Sequence, residues 1–247
     1  MKKLLSFVLL VFLISCKQQP EPAMTAQKIV DSSIQDSGGE YFRNHEVSFL
    51  FRDRKYISKY DEQGKSLERY TYLDSIVIRD KRTNEGLERF INDSLIALPD
   101  SIARRYSNSV NSVHYFVKLP YGLNDKAVNK ILLSEVKIKD KDYYKIKVTF
   151  DQDMGGEDFE DVYLYWFNKA TLKPDYLAYD FRVNGGGQRF REAYNERYVD
   201  SIRFVDYNNY KPKTKGTDIF EIDRLFEAGE LELLSKIELS EIEVKPN

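Results

Sequence analysis

The 247-residue sequence has a single cysteine, Cys16, whose surroundings define its chemistry. Two lysines precede an apolar run at residues 4–14, and residues 13–16 read LISC. At about 1.5 Å rise per residue the run is too short to cross roughly 30 Å of hydrocarbon. We therefore predict a signal peptide over residues 1–15. LISC resembles a bacterial lipobox, in which the thiol takes a diacylglyceryl group before the peptidase cleaves in front of the cysteine. Cys16 is the predicted lipidation site.

Lipidation would make the membrane a partner of this chain through the acyl chains on Cys16. Each buried methylene contributes about 0.8 kcal/mol, so two or three chains such as palmitate would anchor the protein almost irreversibly. Residues 16–23 are polar with two prolines and predict a lipidated tether, followed by a single domain at 24–247. We expect a lipid-anchored protein of the cell envelope, attached to the outer membrane. The sequence is compatible both with the periplasmic face of that membrane and with the cell surface.

The second candidate for chemistry is an arginine-bearing strand with the sequence GQRFREAY. Arg189 and Arg191 alternate along it and share one face, and Arg182 lies on the preceding strand. Beside Trp166 and Tyr179, three guanidiniums on an inward face could hold an anionic head group, with apolar walls for a tail. The alternative is an outward arginine face that pairs with neighbouring acids.

A cluster of acids offers a weaker alternative, a calcium site formed by Asp151, Asp153 and Glu157. Calcium prefers oxygen ligands, but the spacing departs from an EF-hand after its first two acids. A solvated acidic turn explains the cluster equally simply. The two histidines, His45 and His114, are far apart in sequence and no GxSxG motif is present, so we predict no catalytic residue.

Composition excludes several classes of protein. One cysteine rules out a disulfide scaffold and a CxxC zinc site. A formal net charge of −2 argues against a nucleic-acid partner. An aromatic content of 14% is too high for a disordered chain. We expect a folded monomer without a cofactor.

The elements that must position these residues are mostly strands. Thr25 is a predicted N-cap of an N-terminal helix that ends at two glycines, and period-two alternation then continues to about residue 82. Residues 84–132 form a predicted helical insertion, with short helices at 85–92, from Pro99 and from Asp125.

Strands return after the insertion. Residues 135–150 predict a hairpin, and 159–167 are apolar at consecutive positions, which indicates a central strand buried on both faces. A short helix is predicted at 219–228. The fold class is mainly β (α+β): a curved antiparallel sheet or half-barrel of about ten strands, with the N-terminal helix and the insertion covering its concave face.

Three blocks of the sequence resemble one family. They begin at Ala26 (AQKIVDSSIQDSGGEYF) and Ser109 (SVNSVHYFVKLPYGLNDK), and the third spans residues 159–212. The chain is identified as a member of an uncharacterised family of Bacteroidota lipoproteins, the domain-of-unknown-function 6503 family. Its element order is similar to that of LolA/LolB lipoprotein carriers, whose half-barrel holds an acyl ligand under helices.

The resemblance and the residues together favour one function: a membrane-anchored lipoprotein that binds a lipid or another hydrophobic ligand in a half-barrel cavity. A structural or interaction lipoprotein without a ligand is the alternative. An envelope enzyme is the third possibility, and it would require a cleft in which several carboxylates or a histidine converge with perturbed pKa values.

Overall fold

The computed structural model describes residues 23–62, 64–151, 161–182 and 185–247. The predicted signal peptide, the lipidation site Cys16 and nearly all of the tether lie outside the described residues. So do Asp153 and Glu157 of the predicted calcium site. Among the described residues no helix is long and apolar enough to span a membrane.

Fourteen strands and four α-helices form the described chain. The strands are β1 (His45–Phe51), β2 (Arg54–Asp61), β3 (Gly64–Leu73), β4 (Ile76–Thr83), β5 (Gly86–Ile91), β6 (Ser94–Ile96), β7 (Val128–Ile138), β8 (Lys141–Phe150), β9 (Val162–Asn168), β10 (Pro174–Phe181), β11 (Gly187–Val199), β12 (Ile202–Pro212), β13 (Leu231–Ile237) and β14 (Leu239–Pro246). The helices are α1 (Ala26–Asp36), α2 (Tyr41–Asn44), α3 (Asp100–Val117) and α4 (Ile222–Glu227), with 3-10 turns at Tyr121–Asn124 and Ile219–Glu221.

The strands form two curved antiparallel sheets of seven strands each. Sheet A has the order β14-β1-β2-β3-β4-β5-β6, and sheet B has the order β13-β12-β11-β10-β9-β8-β7. Neither sheet closes into a barrel in the described part of the chain. The predicted mainly-β half-barrel class is therefore confirmed, with fourteen described strands where the sequence indicated about ten.

The two sheets are joined where β13 passes into β14. A single residue separates these strands, so the polypeptide leaves the edge of sheet B and enters the edge of sheet A. Asp206, which is 3% exposed, fixes this junction by accepting the Leu239 amide proton at 3.0 Å. Arg197 donates to Asp206 at 3.0 Å and to the Leu239 carbonyl oxygen at 2.9 Å. The junction is thus held by charge-assisted hydrogen bonds.

The N-terminal helix begins and ends as predicted. The Thr25 hydroxyl accepts the amide proton of Lys28, and the helix ends at Asp36. The amides of Gly38 and Gly39 donate to carbonyl oxygens in the last turn, at 3.4 and 2.8 Å. Both glycines have positive φ, which completes a Schellman-type cap.

Two of the helices predicted in the insertion are wrong. Residues 86–91 form strand β5, because Gly86 has φ +133° and the hairpin with β4 pairs Arg89 with Asp80. The segment from Asp125 leads directly into β7, in which half-buried and exposed residues alternate. Ile131 is 56% exposed there, although its spacing fits a helical stripe. In both segments the pairing between strands overrides the local helical pattern.

The other predicted elements of this region and beyond are confirmed. The helix from Pro99 is α3, which ends just before Leu119 and Pro120. The hairpin of β7 and β8, the strand β9 and the short helix at 219–227 also lie where the sequence indicates.

Helix α3 lies between the two sheets and divides the interior. On one side it packs on β3, β4 and β5 of sheet A. On the other side its rings contact the face of sheet B that also carries α1, which we call the inner face. The opposite, outer face of sheet B is covered by α4. Strand β9 contributes to both faces, which confirms the prediction that it is buried on two sides.

The three hydrophobic clusters are formed entirely by residues 26–244 of the described chain. A chain that begins at residue 23 therefore contains every described core residue, and we use it in the experiments below.

Candidate ligand-binding site

A cleft of about 380 Å³ lies between α3 and the inner face of sheet B, near the junction of the sheets. Most of its walls are apolar, and they come from α3, β1 and strands β9 to β14. Its lining residues are Phe51, Arg52, Ser112, Val113, Phe116, Val117, Asp161, Tyr163, Tyr179, Phe181, Arg189, Arg191, Val205, Tyr207, Asn209, Ser235, Ile237 and Leu239.

Strand register places the predicted site residues on this face. Tyr179 of β10 pairs with Arg189 of β11 on one side and with Tyr163 of β9 on the other. Side chains of directly paired residues point to the same face of a sheet, and so do those two positions apart. Arg191 therefore shares the face of Arg189, as the sequence predicts.

Arg191 lies inside the cleft and is only 8% exposed. Its guanidinium stacks 3.8 Å from the ring centroid of Phe116 on α3, and Nη2 donates to the Tyr179 hydroxyl at 3.0 Å. Its Nε has no hydrogen-bond partner in the described chain. A desolvated stack of this kind contributes roughly 2 kcal/mol. Arg191 thus joins α3 to sheet B and leaves one buried donor unused.

Arg189 lies nearer the surface, at the mouth of the cleft. Its guanidinium stacks 4.8 Å from the centroid of the Phe181 ring, and Nη1 donates to the Gln188 carbonyl oxygen at 2.8 Å. Gly187 makes this packing possible, because a Cβ there would lie 3.3 Å from the Phe181 ring, and its φ of +147° disfavours any side chain.

Beyond the mouth the surface forms a second concavity of about 670 Å³, which we call the basic cup. Arg182 lines the basic cup, whereas Arg191 does not. The full set of lining residues is Asp180, Phe181, Arg182, Gly185, Gly186, Gly187, Gln188, Arg189, Lys211, Pro212, Lys213, Thr214, Lys215, Gly216 and Thr217.

Trp166 does not join the other predicted residues. It lies on the outer face of sheet B, where it is fully buried and its indole N–H donates to Asp223 at 3.1 Å. The ammonium of Lys145 contacts the same carboxylate at 3.1 Å. The expectation that Trp166 lies beside the arginines is wrong, because on a two-sided strand an even position faces away from Tyr163 and Tyr165.

Of the predicted calcium ligands only Asp151 is described. Its carboxylate accepts a hydrogen bond from the Asn129 side chain at 2.6 Å. No group of three potential metal-ligating side chains is found among the described residues. The calcium site stays a prediction.

Neither histidine pairs with a carboxylate in the described chain. His114 is fully buried against sheet A, and burial, with a smaller effect of the nearby Lys118 charge, lowers its pKa to about 3. The neutral ring donates from Nε2 to the Glu68 carbonyl oxygen at 3.1 Å. His45 contacts the carbonyl oxygen of Tyr41 at 3.1 Å.

Lys118 is an unusual titratable group that sequence reasoning missed. It is 5% exposed, and its ammonium has no hydrogen-bond partner in the described chain. Burial, reinforced by the positive charge of Lys65, lowers its pKa to about 7. The rings of Tyr60 and Phe42 lie 5.6 and 6.0 Å away. Lys118 follows Val117 of the cleft wall, but it faces sheet A.

The comparison with protein families decides the relationship that the three sequence blocks suggested. The model of a family of unknown function, DUF6503, matches residues 2–239. The chain belongs to this family. A comparison with curated proteins finds none that matches the sequence of this DUF6503 member.

Several solved structures are similar to this DUF6503 chain. A DUF1329 family protein from Desulfovibrio piger is 12% identical, with a TM-score of 0.50 over 88% of this chain and 92% of that one. A LolA superfamily protein from Nitrosomonas europaea is 14% identical, with a TM-score of 0.49 over 91% and 94%. A putative outer membrane lipoprotein-sorting protein domain from Vibrio parahaemolyticus is 9% identical, with a TM-score of 0.44 over 89% and 92%.

Proposed function

We propose that this protein is a lipid-anchored lipoprotein of the cell envelope that binds a lipid or another hydrophobic ligand in the cleft. The observation that carries the proposal is the cleft itself, an apolar space of about 380 Å³ between α3 and the inner face of sheet B. Protein interiors are packed with few voids larger than a water molecule. A space of this size lies in the range of roughly 300–1,000 Å³ that is common for small-molecule sites.

The walls of the cleft suit a hydrocarbon ligand. Phe116, Tyr179 and Phe181 offer ring faces, and Val113 and Ile237 offer branched side chains. Each methylene group that a ligand buries against such walls contributes about 0.8 kcal/mol. A medium-length acyl chain would therefore bind without any specific polar contact.

The anchoring part of the proposal depends on the sequence around Cys16. The basic start, the short apolar run and the lone cysteine stand in the order of a lipoprotein signal. We propose that the acyl chains on Cys16 anchor the protein in the outer membrane. Incorporation of labelled palmitate into the chain, and its loss in the Cys16→Ser variant, test this part separately from the ligand.

The ligand part is tested with the chain that begins at residue 23. Native mass spectrometry after gentle purification, followed by solvent extraction, should reveal a co-purifying lipid. The neutral fluorescent probe N-phenyl-1-naphthylamine should bind at one site. A domain that carries no lipid and does not bind the probe would refute the proposal.

A matched pair of variants locates the site. Val113→Trp places a large ring in the cleft from α3, and we expect it to weaken probe binding at least about tenfold, since it fills the space that the ligand's methylenes would occupy. Ile131→Trp adds the same ring on β7, outside the cleft, at a residue that is 56% exposed. It should leave binding unchanged, and circular dichroism checks that both variants fold.

One observation favours the second candidate, an interaction lipoprotein without a ligand. Apolar side chains at the end of sheet A are exposed, with Tyr72 at 55%, Leu73 at 51% and Leu95 at 62%. Exposed apolar clusters mark interaction surfaces. A photo-crosslinking residue at position 73 that captures one discrete partner, in a protein that binds no probe, would favour this function over the first.

A further inference from the structure

We propose that the ligand is an anionic amphiphile, whose charged group lies in the basic cup while its hydrocarbon part lies in the cleft. This inference rests on the proposed function, because it names the class of molecule that the same site takes. The shared chemistry is a phosphate or carboxylate group attached to an acyl chain.

The first step is that the two concavities are adjacent and share part of their walls. Phe181 and Arg189 line both of them. The Arg189 guanidinium stacks on the Phe181 ring, so these two side chains form the wall that the cleft and the cup share. A ligand that emerges from the cleft past Phe181 would place its next polar group against Arg189.

The second step is the charge of the basic cup. The described residues of its walls include five cations and one carboxylate, that of Asp180. The cations are Arg182, Arg189, Lys211, Lys213 and Lys215.

Contacts outside the cup neutralise only part of this charge. Lys213 donates to a carbonyl oxygen, that of Gly229, at 2.7 Å, which satisfies a donor without supplying a negative charge. Lys211 approaches Glu232 at 3.5 Å, but both side chains are about half exposed, at 40% and 53%, and such pairs are weak. Arg189 likewise donates to a carbonyl oxygen. Even without Arg182, the described residues of the cup set four cations against the Asp180 carboxylate, so the cup keeps an excess of positive charge directly at the mouth of an apolar cleft.

The third step is that the cup is held in shape before any ligand binds. The loop that carries Lys215 is tied to β11 by a reciprocal pair of hydrogen bonds between Gln188 and Thr217, at 2.6 and 2.8 Å. Stacking on Phe181 restrains Arg189 in the same way. Groups that are already ordered lose less conformational entropy on binding. Arginine in addition can form two parallel hydrogen bonds to a phosphate or carboxylate.

The fourth step is the interior of the cleft. Arg191 lies two residues from Arg189 on the same face of β11, buried and with an unused Nε donor. The described residues that line the cleft include three cations, Arg52, Arg189 and Arg191, and one buried carboxylate, Asp161, so the excess of positive charge extends from the cup into the cleft. The described contacts of Arg191 are with the Tyr179 hydroxyl and with the rings of Phe116 and Tyr179, and none of them is a carboxylate. This arrangement disfavours a cationic amphiphile at the same site.

The test compares two ligands that differ only in charge, a monoacylglycerol and the monoacylglycerol phosphate with the same acyl chain. Each competes with N-phenyl-1-naphthylamine on the chain from residue 23, and glycerol 3-phosphate serves as the head group alone. We expect the phosphate ligand to displace the probe at a concentration about tenfold lower than the neutral one, as charge-assisted hydrogen bonds imply. The preference should shrink as salt rises, because exposed charges are screened.

Variants test whether the preference for the phosphate ligand depends on the residues of the cup. The double variant Arg189→Gln/Lys215→Gln should remove the preference for phosphate, which is measured as the ratio of the two displacement concentrations and therefore does not depend on how far the variant changes binding of the neutral ligand. The matched control, Arg105→Gln/Lys141→Gln, removes the same two charge types at exposed residues outside the cup. It should keep the full preference.

The outcomes separate the two proposals. A chain that does not bind the probe refutes the proposed function. If the probe binds and both ligands displace it equally well, the proposed function is retained and the proposal that the ligand is an anionic amphiphile is refuted. Glycerol 3-phosphate that binds as tightly as the acylated phosphate would make the cup a site for free phosphate compounds, which also overturns the proposal. A preference that survives in the cup variant would contradict the assignment to these residues.

Discussion

Replacing Lys118 with methionine should stabilise the protein. The ammonium of Lys118 is buried without a hydrogen-bond partner in the described chain, beside the rings of Tyr60 and Phe42. Methionine keeps most of the length of the side chain and is compatible with the rings, and it removes the group that burial disfavours. The wild-type chain unfolds to a state in which the amine regains its ordinary proton affinity.

The magnitude follows from the pKa. The folded state lowers the pKa of Lys118 from 10.5 to about 7, mainly by desolvation. Because the folded pKa lies below the unfolded one, the unfolded state binds more protons between these values, and stability rises with pH. Linkage gives a cost to the folded wild type of about 4 kcal/mol at pH 7, about 2 kcal/mol at pH 9 and about 1 kcal/mol at pH 10.

Urea unfolding of wild type and Lys118→Met at pH 7, 8, 9 and 10 measures this difference directly. The variant should be more stable at pH 7 by a few kcal/mol, and the advantage should shrink steadily toward pH 10. Lys141→Met, at an exposed residue, should show no such trend. Probe binding should persist in Lys118→Met, since Lys118 does not line the cleft. An advantage that is absent at pH 7, or that does not change with pH, would refute the reasoning.

Three further perturbations test other parts of the account. Asp80 is 1% exposed between the buried Arg69 and the partly buried Arg89, and Asp80→Asn should lower the free energy of unfolding by about 3–5 kcal/mol because both guanidiniums lose their counter-ion. Urea unfolding measures this change, and a loss within about 0.5 kcal/mol would contradict the buried network. Trp166→Phe should lower the free energy of unfolding by about 1–3 kcal/mol, since the Asp223 carboxylate loses a buried donor. Probe affinity should not change, because the indole lies on the outer face of sheet B. Weaker probe binding would contradict this and indicate that Trp166 belongs to the ligand site. Cys16→Ser should move the protein from the membrane to the soluble fraction in cell fractionation, and a variant that still sediments with membranes would argue against acylation as the anchor.

Local patterns in the sequence predicted the elements whose formation depends on neighbouring residues. The Thr25 cap, the glycine termination and the two-sided strand β9 all follow from short-range rules, and the structure has each of them. Strand β5 was missed because its pairing with β4 is a property of the hairpin, whereas its own composition is compatible with a helix.

In the candidate site, too, the sequence predicted local features correctly but not contacts between residues that are distant in sequence. Alternation along β11 correctly placed Arg189 and Arg191 on one face, since that depends only on the two-residue period. The stack of Arg191 on Phe116 joins positions that are distant in sequence, so no local pattern could reveal it. The burial of His114 had a readable signal, because it lies four residues after the buried Val110 on α3. Lys118 had no such signal, because its burial depends on residues brought in by sheet A.

The most direct test of the central claim is a crystal structure of the chain from residue 23 with a bound monoacylglycerol. We predict elongated density between α3 and the inner face of sheet B, in contact with Phe116 and Tyr179, and with the glycerol end beside Phe181 and Arg189. A cleft that contains only water, or density for the lipid solely at another surface, would contradict the claim that this cleft is the ligand site.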